Sequence, residues 1–300
     1  MTLIINDVKK RFNEHKAVDG ITLTVEKGSM FGMLGANGAG KTTTFRMILG
    51  LLDPTEGEVT WNNQRLSYKQ TNLIGYLPEE RGLYPKITVR DQLTYLAKLK
   101  GMKKGAILEE MKSWLNRFKA EEYENKKVEE LSKGNQQKIQ FIAAVLHKPE
   151  LLILDEPFSG LDPVNSDMLK DAVRYLQDQG TTIVFSSHQM RNVEEMCEDI
   201  IMLKKGKAVL QGNLNEIKRS YGMKSISIRA DYDLSFLKED QHVQKYTEAK
   251  NGVSIQVESE EKAKDVFQQV AAKGFVRKFE VEEPSLHDIF IDKVGGDADE

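Results

Sequence analysis

Cysteine is nearly missing from this sequence: Cys197 stands alone among 300 residues. No disulfide can close within the chain, which excludes the small cross-linked secreted scaffolds and points to a reducing cytosol. Also missing is any apolar run near the ~20 residues that a membrane-spanning helix needs. If the protein acts at a membrane, another chain is expected to supply the spanning part. The first ten residues, MTLIINDVKK, lack the basic start and apolar centre of a signal peptide. There is no excess of positive charge either. Lys and Arg number 43 against 46 Asp and Glu, a net of −3, so the bulk footprint of a nucleic-acid binder is lacking. What remains is ordinary for a soluble globular chain able to bury a core: 40% hydrophobic and 30% charged residues. The length suits one large domain and a small one.

The pattern along the chain supports that division. Residues 3–5, 21–25 and 30–34 are short apolar runs bounded by turn signals and read as strands. Residues 88–102, 106–119 and 132–147 carry apolar side chains at helical spacing. Residues 151–154 and 182–186 are continuous apolar or β-branched runs, as buried parallel strands require, with a helix expected over 166–179 between them. The pattern restarts near 220–224, with strands expected at 225–229 and 254–258 and a helix at 261–272. The last 80 residues hold 11 Lys and Arg against 17 Asp and Glu, and this shift in charge falls at the same place. Domains 1–220 and 221–300 are expected, closing on a loose acidic tail at 295–300.

The strand expected at 30–34 runs into Gly35-Ala36-Asn37-Gly38-Ala39-Gly40-Lys41-Thr42, which fits G-x-x-x-x-G-K-[ST]. Glycines there let the backbone wrap phosphate oxygens and aim several N–H groups inward. The helix expected over 42–49, with Thr43 in its opening turn, turns its positive end to the same anion. Lys41 adds a charge for the β and γ phosphates, and the Thr42 hydroxyl suits Mg²⁺. A second constellation is the apolar run Leu151-Leu152-Ile153-Leu154 ending in Asp155-Glu156. Carboxylates at a buried strand tip are costly without a cation. Asp155 suits Mg²⁺, directly or through water, and Glu156 can polarise the water that attacks the γ-phosphate. The other parallel strand ends in Ser187-His188, which places His188 at the sheet edge where open α/β sheets bind ligands. His147, before Lys148-Pro149 at a helix end, reads as structural. His15, His242 and His287 show no metal-ligand spacing.

These elements together resemble the ABC-transporter ATPase family over residues 1–220. Leu131-Ser132-Lys133-Gly134-Asn135-Gln136-Gln137 stands where that family has L-S-G-G-Q, with Lys133 for the first Gly and Asn135 for the Gln. On its own Ser132 reads as a helix N-cap that presents N–H groups. The resemblance implies that Ser132 and Gly134 face the ATP held by a second subunit and that Phe12 stacks on the adenine. Ser159-Gly160-Leu161-Asp162 resembles the loop that crosses the dimer interface, and residues 85–93 resemble the segment after the Q-loop. Gly75-Tyr76-Leu77-Pro78 leads to Glu79 where the family has Gln. A carboxylate there can ligate Mg²⁺ but brings a charge that Gln would not. Glu283-Pro284-Ser285-Leu286-His287-Asp288-Ile289-Phe290 resembles the close of ATPases serving bacterial export systems of the sodium-export and drug-export types.

The expectation is an α/β P-loop NTPase core with an antiparallel β layer and a helical subdomain, plus a small C-terminal α+β domain. The resemblance implies an ATPase using ATP and Mg²⁺, paired head to tail with a second copy. It also implies docking on a separate membrane permease at the cytoplasmic face of the membrane, with no nucleic-acid partner. An ABC ATPase of DNA repair or translation would usually carry two cassettes or a long coiled coil. A P-loop switch or kinase is opposed by Glu156 and Ser132.

Overall fold

The computed structural model describes residues 2–66, 72–80, 82–249 and 252–294; the acidic tail at 295–300 lies outside them. By contacts the chain divides into two compact units, Met1–Gln211 and Gly212–Glu300.

The first unit opens with β1 (Leu3–Phe12), β2 (His15–Val25), β3 (Met30–Gly35), α1 (Lys41–Ile48), β4 (Glu56–Trp61), β5 (Gln64–Arg65) and β6 (Ile74–Leu77). Three helices follow: α2 (Val89–Leu99), α3 (Lys104–Arg117) and α4 (Lys133–Val145). Strand–helix alternation then returns with β7 (Leu151–Asp155), α5 (Pro163–Asp178), β8 (Thr182–Ser187), α6 (Met190–Met196), β9 (Asp199–Lys204) and β10 (Lys207–Asn213).

Two sheets result. One is antiparallel, in the order β2-β1-β4-β5. The other has the order β10-β9-β3-β8-β7-β6, and within it β9, β3, β8, β7 and β6 run parallel. Every residue of β3, β7 and β8 is buried, which is why these segments read as unbroken apolar runs rather than alternating ones. α1 fills the space between the sheets. Its Phe45, Met47 and Ile48 join Leu3, Ile5 and Ile21 of the antiparallel layer and Met33, Ile153 and Val184 of the parallel one in a single core. Burying such side chains contributes about 1.5–3 kcal/mol each, and here it fixes the helix that carries Lys41 and Thr42. The helical subdomain has an aromatic centre in which Trp114 stacks on Phe118 and Phe141 meets both edge-on, at centroid distances near 6 Å.

The second unit comprises α7 (Leu214–Ser220), β11 (Lys224–Ala230), β12 (Lys245–Ala249), β13 (Gly252–Val257), α8 (Glu260–Lys273), β14 (Val276–Glu282) and α9 (Leu286–Val294). Its four strands form an antiparallel sheet in the order β12-β13-β11-β14. Ile226, Ile228, Val253, Ile255 and Val257 meet Ala263, Val266 and Val270 of α8 in a core of its own. The Pro284-Ser285 turn sets α9, because Ser285 Oγ accepts from Asp288 N while Asp288 returns a carboxylate to Ser285 N. Among the described residues no helix is long and apolar enough to cross a membrane.

His147 is structural, as its place before a proline suggests. Nε2 donates to Ile74 O at 3.1 Å, and Nδ1 is buried without a partner. Burial first, and the Lys100 charge second, push its pKa down to about 4. The folded state therefore refuses a proton that the unfolded chain accepts near pH 6.5. Stability from this site is complete above pH 6.5 and is lost as the pH falls toward 4, by about 3 kcal/mol in all. Urea unfolding should show the wild type losing roughly 2–3 kcal/mol more than His147→Gln between pH 7 and about 4.5. Equal losses in the two proteins would contradict this reading.

Candidate active site

The loop between β3 and α1 closes around backbone rather than side chains. Gly40 sits at φ +106°, and a Cβ there would stand 2.6 Å from Ala17 O, so both conformation and space demand glycine. No side chain caps α1, and its first turn holds no acid. Its leading N–H groups are thus left for an anion, with the helix dipole behind them.

Lys41 is 6% exposed. Its Nζ donates to Gly35 O at 2.7 Å and to Ala36 O at 3.3 Å, and lies 3.6 Å from Glu156 Oε1. The cation is folded back over the loop it serves.

The acid pair is held from β8. Parallel pairing sets Asp155 opposite Ser186. Ser186 Oγ donates to Asp155 Oδ1 at 2.6 Å and accepts from Glu156 N at 3.0 Å. The other Asp155 oxygen accepts from Thr42 Oγ1 at 2.9 Å. Glu156 has φ +49°, a costly conformation for a residue with a side chain, and its grip on Ser186 holds that strain at the site. His188 Nδ1 lies 2.8 Å from Glu156 Oε2, which orients the carboxylate. Glu156 Oε1 is buried and accepts no hydrogen bond. A buried charged acceptor left open is the mark of a site waiting for a donor.

Lys41, Thr42, Asp155 and Glu156 line a cleft of about 370 Å³ with Phe12, His15, Ala17 and Glu79. Of the expected set, Phe12, residues 36–43, Asp155, Glu156 and Glu79 come together on its walls. Gly35 accepts from Lys41 just behind it. His188 reaches Glu156 but does not itself line the cleft.

Ser132 and Gly134 also stand elsewhere. Ser132 is exposed and caps α4, accepting from Asn135 N at 3.3 Å. A Cβ on Gly134 would meet Asn165 Nδ2 at 2.9 Å. Asn165 in turn is held by Asp162, the cap of α5. The loops 132–135 and 159–162 are therefore braced against each other.

Four further residues carry weight that sequence reading passed over. His15 pairs with Phe12 across the β1–β2 turn, so it enters the cleft from the strand hairpin. Ser186 pins both acids. Gln140 of α4 donates to Pro78 O at 3.3 Å and Glu80 O at 3.0 Å, bracketing Glu79. Tyr76 of β6 is pushed up to about 12, by burial first and then by the charge of Asp155, with Glu79 adding to it against Arg46. It stays a neutral phenol beside the acids.

Hydroxyl and carboxylate oxygens side by side are the hard donors that Mg²⁺ takes. Among the described residues no three His, Cys, Asp or Glu converge on a cage for a metal. That suits Mg²⁺, which is commonly held by one or two carboxylates together with substrate phosphates. Thr42 and Asp155 fit that role, and Glu79 stands within the same cleft.

In sequence and in fold the chain is similar to known proteins. Residues 18–159 match the family described as ABC transporter, and residues 212–294 match the family described as ATP-binding protein DrrA1-3-like, C-terminal domain. The ABC transporter ATP-binding protein YhaQ of Bacillus subtilis is 60% identical over 98% of each chain. A solved ATP-binding subunit of an ABC transporter superposes with a TM-score of 0.69 at 30% identity, over 74% of this chain and 94% of its own. The cbiO1 protein of Clostridium perfringens, part of the ABC transporter complex cbiONQ, does so at 0.64 and 25% identity, over 73% and 94%.

Proposed function

The chain belongs to the ATP-binding proteins of ABC transporters, and from that premise we propose that it drives export through a separate membrane permease, working as a head-to-tail pair with Mg·ATP. That it is an ATPase follows from the family. The observation that carries the reading is the single cleft joining Lys41, Thr42, Asp155 and Glu156.

In this reading the N–H groups of residues 36–43 hold the phosphates. Lys41 swings from its carbonyls to the β and γ oxygens, where a charge-assisted contact is worth more. Bound Mg²⁺ would neutralise phosphate charge, held by Thr42 and Asp155. Glu156 orients the attacking water and takes its proton at the open Oε1, while His188 holds Oε2. Exposed Ser132 and half-buried Gly134, both away from the cleft of their own chain, meet the nucleotide of the second copy. Support for a separate permease comes from cbiO1, part of a multi-protein complex. Export rests on the likeness of residues 283–290 to the close of ATPases serving bacterial export systems.

The test is copurification. A tagged chain drawn from detergent-solubilised membranes should bring a polytopic membrane protein, whose sequence would decide the direction of transport. A chain found only in the soluble fraction, bound to nucleic acid in a salt-dependent way, would overturn the reading.

Glu79 gives a finer test. A neutral amide is a poorer partner for a hard cation, so Glu79→Gln should raise the Mg²⁺ needed for half-maximal ATPase by roughly two- to fivefold. An unchanged Mg²⁺ titration would remove Glu79 from the metal site.

A further inference from the structure

The sheet of the second unit ends on a strand whose outer edge no other strand covers among the described residues. β14 bonds to β11 and lies last in the order. Apart from the half-buried Val276 and Phe279, its residues are exposed. Phe279 and Val281 stand opposite the buried Ile228 and Ile226. Residues 279 and 281 therefore face the α8 side and 278 and 280 the open side, while an irregularity of register between Arg229 and Ala230 interrupts the alternation at Arg277.

On the α8 side Phe267 packs edge-on against Phe279 at 4.9 Å, yet Phe267 remains 43% exposed and Val281 42%. An apolar shoulder runs out to the edge and stops there. On the open side Lys278 pairs with Glu280. The opposite edge, β12, has no such shoulder. Its Tyr246 packs on the core and its Glu248 is held by Lys238.

We propose that β14 is an interface between two copies of this chain, the two strands pairing antiparallel about a two-fold axis through Phe279. Open strand edges pair readily with other strands, and a two-fold interface must be self-complementary.

Charge selects the register. Antiparallel partners share a face, so the axis passes through a residue and not between residues. At Phe279 it sets Lys278 of each copy opposite Glu280 of the other and Phe279 opposite Phe279, all within the regular stretch of the strand. The four charges alternate in sign on the open face, and the two Phe267–Phe279 pairs close into one apolar strip beneath. The other centres of the regular stretch from 278 to 281 oppose like charges: lysines at 278, glutamates at 280, and Glu280 against Glu282 at 281. Like charges directly opposite destabilise a pair. No residue of the nucleotide cleft takes part, so this pairing stands without ATP and apart from the nucleotide-dependent pair.

Sedimentation of the full-length, nucleotide-free chain tests it. The wild type should sediment as a concentration-dependent dimer. Glu280→Lys and Lys278→Glu should each keep the wild-type circular dichroism and weaken dimerisation about tenfold or more, since each turns two attractive pairs repulsive. An equimolar mixture of the two, in which the charges are again complementary, should recover the dimer, and so should the double variant Lys278→Glu/Glu280→Lys. A wild type that stays monomeric at all concentrations would overturn the proposal. So would single variants that dimerise as the wild type does, or a mixture and double variant that fail to recover.

Discussion

Lys41→Ala should abolish ATP binding over the concentrations at which the wild type saturates. Among the described residues that line the cleft Lys41 is the one Lys or Arg, and it is already nearly free of water in the folded chain. Its ammonium carries no desolvation cost on meeting the nucleotide beyond what folding has met. Charge-assisted hydrogen bonds to phosphate contribute about 1.5–3 kcal/mol each. Losing two costs about 3 kcal/mol or more, a hundredfold or greater in affinity. The substitution also leaves Gly35 O, Ala36 O and Glu156 Oε1 without the cation they share. The carboxylate is then a buried charge with no counter-ion beside Oε1, which further opposes an incoming triphosphate. Titration with a fluorescent ATP analogue checks this. Binding within tenfold of the wild type would show that the phosphates lie somewhere other than this loop.

Glu156→Gln should separate binding from chemistry. The amide keeps the shape of the side chain and can hold the contact with His188, but it cannot take the proton of the attacking water. Removing such a base typically costs 10²–10⁴-fold in rate. Binding should remain, and improve slightly, because one negative charge has left a cleft meant for phosphates. ATP that is bound but not consumed should then hold two chains together, since a ligand stabilises the state that binds it. Light scattering should show a dimer that needs Mg·ATP and falls apart on its removal. A residual nucleotide-free dimer through β14 would be recognised by its loss in Glu280→Lys. In that background the Mg·ATP dimer of Glu156→Gln should persist.

The parts of this site that sequence revealed are those set by contiguous residues. The phosphate loop needs its glycines within a few positions of Lys41, and Asp155-Glu156 follow directly on a buried run. The parallel core strands were visible because burial on both faces forbids polar residues along β3, β7 and β8. Features built by register were not visible. Ser186 touches both acids only because Asp155 falls opposite it in the sheet, and nothing in Phe-Ser-Ser-His marks which serine that is. His15 enters the cleft because a tight turn folds it back on Phe12, while read alone it had no partner at metal spacing. β4 went unread since only Val59 and Trp61 of its six residues are buried, too short an alternation to stand out. β14 hid for a related reason: as a largely exposed edge strand it carries charges at 277, 278, 280 and 282 and reads as loop. The helix Leu214–Ser220, which the sequence did not mark, lies in the second compact unit, which begins at Gly212. Asn213 caps it through Asn215 N and Glu216 N, so the chain turns into a new element there.

The most direct test of the account is release of inorganic phosphate from ATP by the purified wild-type chain, measured beside Glu156→Gln with and without Mg²⁺. The account predicts release by the wild type that saturates with ATP and stops when Mg²⁺ is chelated, and release at least a hundredfold slower by Glu156→Gln although it binds nucleotide at least as well. Release that continued undiminished in the chelator, or that proceeded equally in Glu156→Gln, would contradict it.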